Sequence, residues 1–148
     1  MKENKKVELF RKFAQEWIDR TWVGWWHVDL LFLKADDYAK LKKDIDPECS
    51  VALTETSWQY MTARISVNLD VLNKRIKKKE IEYVVVHEMM HIFLNEMREK
   101  GIKHEERVAT MLARSFIRTK EVGAGEEVEV HGEEVEVHGE EDVNPTEA

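Results

Sequence analysis

The residues best suited to chemistry lie in VVVHEMMHIF, Val84 to Phe93. On an α-helix, residues four apart stand above one another, so His87 and His91 can point two imidazoles at a single ion. Glu88 follows the first histidine, where its carboxylate can reach a water in the ion's open coordination position. Zinc lowers the pKa of such a water to about 7, and a neighbouring carboxylate can take its proton and deliver it to a leaving amine. Val84, Val85 and Val86 precede this HExxH motif, Met89 and Met90 fill its variable positions, and Ile92, Phe93 and Leu94 follow. A helix so apolar all round must be buried, and His, Glu and His buried without partners would be costly. A metal supplies the partner. The competing reading is a core helix whose histidines hydrogen-bond to backbone or carboxylate groups.

A catalytic zinc needs a third protein ligand. The single cysteine, Cys49, can form neither a thiolate cage nor an intramolecular disulfide, so the ligands of one zinc per chain must come from His, Asp and Glu. His104, Glu105 and Glu106 stand at the start of the last predicted helix. Glu106 is followed at helical spacing by Ala109, Thr110 and Ala113, small side chains that would let this helix approach the HExxH helix closely. Glu105 sits above Val108, Ala109, Leu112 and Phe116, a greasier face. Glu106 is therefore the preferred third ligand, with His104 and Glu105 as alternatives.

The elements that must position these groups can be read from periodicity. Val7 to Asp19 carries Phe10, Phe13, Ala14, Trp17 and Ile18 at helical spacing. Trp25 to Lys34 reads as a well-buried strand, and a short helix is expected across Tyr38 to Lys43. Ser50 to Thr56 and Gln59 to Asn68 read as two further strands. In the second, Met61, Ala63, Ile65 and Val67 would share one face, and Tyr60, Thr62, Arg64, Ser66 and Asn68 the other. A long helix is predicted from about Lys78 to Lys100, ended by Gly101 at its C′ position, and a last one from about Lys103 to Lys120.

The net charge of -7 is unevenly distributed. Ten of the 30 acidic residues lie beyond Val122, where no Lys or Arg occurs, so the first 121 residues are mildly basic. GEEVEVH repeats in tandem at Gly125 to His131 and Gly132 to His138. So acidic a segment, with nothing larger than Val to bury, is expected to be a disordered tail, 122–148, after a single domain, 1–121. No apolar run is long enough to span a membrane, and a cytoplasmic location is expected.

In its order of elements and its motifs the chain resembles the smallest zincin metallopeptidases, the minigluzincin-like and phage-type families. The resemblance implies an α+β fold: an N-terminal helix, a small three-stranded mainly antiparallel or mixed sheet, the HExxH helix and a ligand-bearing C-terminal helix. It implies zinc-dependent hydrolysis of peptide bonds, with a peptide or protein as substrate. EERVATMLA, Glu105 to Ala113, is similar to the gluzincin pattern in which a ligand Glu is followed at the fourth position by a residue supporting the site. His87, His91 and Glu106 are then the ligands, Glu88 the general base, and Thr110 a partner for a histidine. Larger gluzincins carry Asp where Thr110 stands, and their oxyanion-stabilising Tyr or His has no match here. SprT-like proteases place a third histidine where His104 lies, and ImmA/IrrE-like proteases share the ExxA element of Glu106 to Ala109. A zincin-like fold would make Gln59 to Asn68 the upper edge of the cleft, where an extended peptide adds alongside Thr62, Arg64 and Ser66. The alternative function is a weakly catalytic zinc-binding regulatory module, with nucleic acid contacting the basic run Lys74, Arg75, Lys77, Lys78 and Lys79.

Overall fold

The computed structural model describes residues 4–44, 46–95 and 103–125. Helix α1 (Lys5–Arg20) starts where the Asn4 side chain accepts a hydrogen bond from the Lys6 N–H, and it buries Phe10, Ala14 and Trp17 on one stripe. A 3-10 turn (Trp22–Trp25) leads into β1 (His27–Leu33), which is followed by the short α2 (Ala35–Tyr38). Strand β2 (Ala52–Ser57) connects through a second 3-10 turn (Trp58–Tyr60) to β3 (Thr62–Asn68). Asn68 accepts from the N–H groups of Asp70 and Val71 and so caps α3 (Leu69–Lys74). After a third 3-10 turn (Lys78–Glu80) come α4 (Ile81–Phe93) and α5 (Glu105–Gly125). The fold is α+β with a three-stranded mixed sheet, as expected.

The strand order is β1-β3-β2, with β3 parallel to β1 and antiparallel to β2. Ile65 and Val67 of β3 join Phe10 of α1 and Val85, Met89 and Met90 of α4 in one core. Phe10 meets Phe32 of β1 edge to face, with centroids 5.7 Å apart. Helix α5 closes the core with Ala109 and Ala113, both fully buried. Among the described residues no helix is long and apolar enough to cross a membrane.

Several element boundaries differ from the sequence reading. Met61 adopts a left-handed conformation (φ 48°, ψ 45°) at the end of a 3-10 turn, so β3 starts at Thr62 rather than Gln59. Strand β1 is an edge strand whose residues alternate between exposed and half-buried rather than a well-buried one. Helix α2 lies earlier than expected: Asp36 and Asp37 favour a first turn there, and Asp70 accepts from the Ala35 N–H at 2.9 Å. Helix α4 stops at Phe93, and the Asn95 side chain donates to the Ile92 carbonyl. Gly101, the expected C′ residue, lies outside the described residues, as do both GEEVEVH repeats except Gly125. Helix α5 runs past Val122 to Gly125.

Lys120 ties three helices together. Its ammonium donates to Glu82 of α4 and, at 2.9 Å, to Glu16 of α1, and it stands 5.7 Å from the Trp17 ring centre. The Trp17 indole N–H donates to the same Glu82 carboxylate at 2.9 Å. Burial works against the charge on Lys120, yet the hydrogen bonds to Glu16 and Glu82 hold its pKa above the usual lysine range. Replacing it leaves Glu82 with only the Trp17 N–H and Glu16 with Arg20, 3.2 Å away, as its remaining cation. Lys120→Ala should therefore lower stability by about 1–2 kcal/mol in urea denaturation. An unchanged midpoint would show that water satisfies the pair.

Candidate metal centre

One helical turn separates His87 from His91 on α4, and their Nε2 atoms lie 3.2 Å apart. Glu106, in the first turn of α5, brings Oε1 to 2.9 Å from His87 Nε2 and Oε2 to 3.4 Å from His91 Nε2. The three side chains form a group able to hold a metal ion. Their spacing suits one: a tetrahedral ion with bonds of ~2.0–2.2 Å keeps its ligand atoms roughly 3.3–3.5 Å apart. Two imidazoles and a carboxylate suit zinc, and other first-row divalent cations as well.

The small side chains of α5 make this meeting possible, because Ala109 and Ala113 let its backbone approach α4. The two alternative ligands are placed elsewhere. His104 precedes α5 in the left-handed region (φ 76°), where its carbonyl accepts from the Val108 N–H and its side chain is exposed. Glu105 reaches the opposite edge of the His91 ring, its Oε1 2.7 Å from Nδ1. Thr110 borders the same cavity, but the support for a histidine expected from it is made by Glu105. His87 Nδ1 is buried and has no hydrogen-bond partner among the described residues.

Glu88 is 5% exposed, and its Oε2 accepts from the Thr54 hydroxyl at 2.7 Å. Burial pushes its pKa up; the Thr54 hydrogen bond and the nearby histidines pull the other way without cancelling that effect. Thr54 belongs to β2, which forms one wall of a cavity of about 570 Å³, with His87, His91 and Glu106 on the other side. Tyr83, one turn before His87 on α4, lies at its edge with its ring centre 6.1 Å from that of His87.

The expected substrate strand is corrected by this topology. Strand β3 is central, hydrogen-bonded on both edges, so no peptide can add to it. Arg64 and Thr62 line a separate hollow with Asp29 and Glu55, while Ser66 is fully buried. These residues share a sheet face opposite to Ile65 and Thr54, which face α4. The strand bordering the site is β2, an edge strand. Asn68 donates to the Val51 carbonyl at 2.9 Å, which makes Val51 a hydrogen-bonded partner of β3. By the alternation of antiparallel pairing, Ala52, Thr54 and Thr56 then turn their own N–H and C=O groups to the edge that, among the described residues, no strand pairs with.

Sequence reasoning missed Thr54 and the role of β2. SVALTET alternates too briefly to show which set faces inward, and nothing in it links Thr54 to a carboxylate 34 residues later. Comparison of the chain with protein-family models, curated proteins and solved structures returned no match.

A buried carboxylate in a site without metal is a cost to stability. Glu88→Gln preserves shape and an acceptor for Thr54 while removing that charge. The metal-free variant should be more stable than wild type, by about 1 kcal/mol, with a raised thermal midpoint. A lowered midpoint would mean that the ionised carboxylate contributes to the fold.

Proposed function

We propose that the chain is a zinc-dependent peptidase in which His87, His91 and Glu106 hold the metal and Glu88 is the general base. The observation that carries this reading is the meeting of those three side chains beside a buried carboxylate, in a cavity bounded by a strand edge that is unpaired among the described residues. Bound there, zinc would act as a Lewis acid, polarising a carbonyl and acidifying a water. Glu88 takes a proton from the attacking water and returns it to the departing amine nitrogen as the amide C–N bond breaks. A carboxylate whose proton affinity is raised by burial suits both halves of that transfer. The Thr54 hydroxyl orients it.

The polypeptide substrate would lie extended along β2. There Ala52 and Thr54, which line the cavity, and Thr56 further along the same strand offer outward backbone donors and acceptors. Side-chain selection would then fall to the walls of the cavity, where Lys42 supplies a cation.

Elemental analysis of dialysed protein should find one zinc per chain in wild type and in His104→Ala, and loss or weakening of it in His87→Ala and Glu106→Ala. Glu88→Gln should keep the metal and lose cleavage of a mixed peptide library by roughly 10²- to 10⁴-fold. Thr56→Pro removes an outward N–H without touching the β3 pairing, so it should raise KM and leave zinc content unchanged. If wild type holds no zinc and added zinc fails to stabilise it, the reading is wrong.

A further inference from the structure

Two adjacent residues of α5 grip one imidazole from opposite edges. Glu106 approaches His91 at Nε2, while Glu105 reaches Nδ1 at 2.7 Å, and the His91 and Glu105 side chains are 9% and 16% exposed. An ionised carboxylate only accepts, so the shared proton belongs to His91 Nδ1. A contact this short between charged or polarised groups is among the stronger hydrogen bonds available to a protein.

We propose that Glu105 is a positioning residue that fixes His91 as the Nδ1–H tautomer, so that its Nε2 lone pair is turned towards His87 and Glu106 before any cation arrives. Among the described residues His87 has no such support, because its Nδ1 is buried without a partner there. The two histidines of the motif therefore differ: one is preset by α5, and the other takes its orientation from its own packing and from whatever binds. Preorganisation of this kind fixes ring orientation and raises ligand basicity. It also makes the first turn of α5 a single device, with consecutive carboxylates in two roles. Why the lone pair matters rests on the proposed function; the tautomer itself is a property of the metal-free protein.

The test is a long-range ¹H–¹⁵N spectrum of the histidine rings in metal-free, full-length protein at about pH 8, above the ordinary histidine range. Wild-type His91 should be protonated on Nδ1 alone. Glu105→Gln keeps an accepting oxygen and should keep that tautomer, whereas Glu105→Leu, similar in size, should lose it and leave the His87 signals unmoved. Zinc competition with a chelator should then show roughly 10- to 100-fold weaker binding in Glu105→Leu, with substantial rescue in Glu105→Gln. His91 protonated on Nε2 in wild type overturns the proposal. So does an unchanged tautomer in Glu105→Leu, even if zinc binding falls, because Glu105 would then act through the fold alone. The expected tautomers in a wild type that binds no zinc would support the positioning role and reject the peptidase reading.

Discussion

Burying the polar residues of an otherwise apolar helix is the constraint on which the rest of this structure depends. Helix α4 is surrounded by α1, α5 and the sheet, so Glu88 and His91 are almost wholly removed from water. Each needs a partner, and the partners come from different directions. Thr54 approaches from the sheet to meet Glu88, and Glu105 and Glu106 approach from α5 to meet the imidazoles. Without these, desolvation would favour leaving the motif in water rather than packing it into the core. The site is thus part of what holds the three layers in register.

That dependence explains the composition of α5. Its first turn carries the carboxylates, and its next two turns present Ala109 and Ala113, whose small side chains bring the carboxylates within reach of α4. Further along, Trp17 and Phe116 meet edge to face, and Lys120 closes the contact between α1, α4 and α5 with charge. A helix attached at both ends resists tilting, so the oxygen atoms of Glu106 are held to distances that a cation can use. The Lys120 contacts lie some 20 Å from Glu106 along the helix, at roughly 1.5 Å per residue, and act together with the packing of Ala109 and Ala113.

Much of this was legible in the sequence, for physical reasons that also mark where legibility stops. The motif on α4 and the small-residue strip after Glu106 are local patterns, and their helical periodicity survives folding unchanged. Boundaries were less legible where alternation continued through a turn, as at Gln59 to Met61, because periodicity does not register the left-handed step at Met61. Strand order was not legible at all. The edge position expected of Gln59 to Asn68 came from the zincin resemblance and not from alternation, yet β3 is central and its Ser66 is buried. Alternation reports which face a residue takes and carries no information about how many neighbours the strand has.

The same distinction separates the two carboxylates at the start of α5. Both were candidate ligands by type and position, and helical geometry turns consecutive residues by about 100°. One therefore reaches the Nε2 side of His91 and the other its Nδ1 side. No preference of residue type distinguishes these outcomes; the docking angle of α5 on α4 does, and that angle is set by Ala109, Ala113 and the Lys120 contacts. A cluster of this kind is consequently specified twice. The local motif places the two imidazoles, and the packing of α5 decides which of two similar carboxylates faces their Nε2 atoms and which meets Nδ1 of His91.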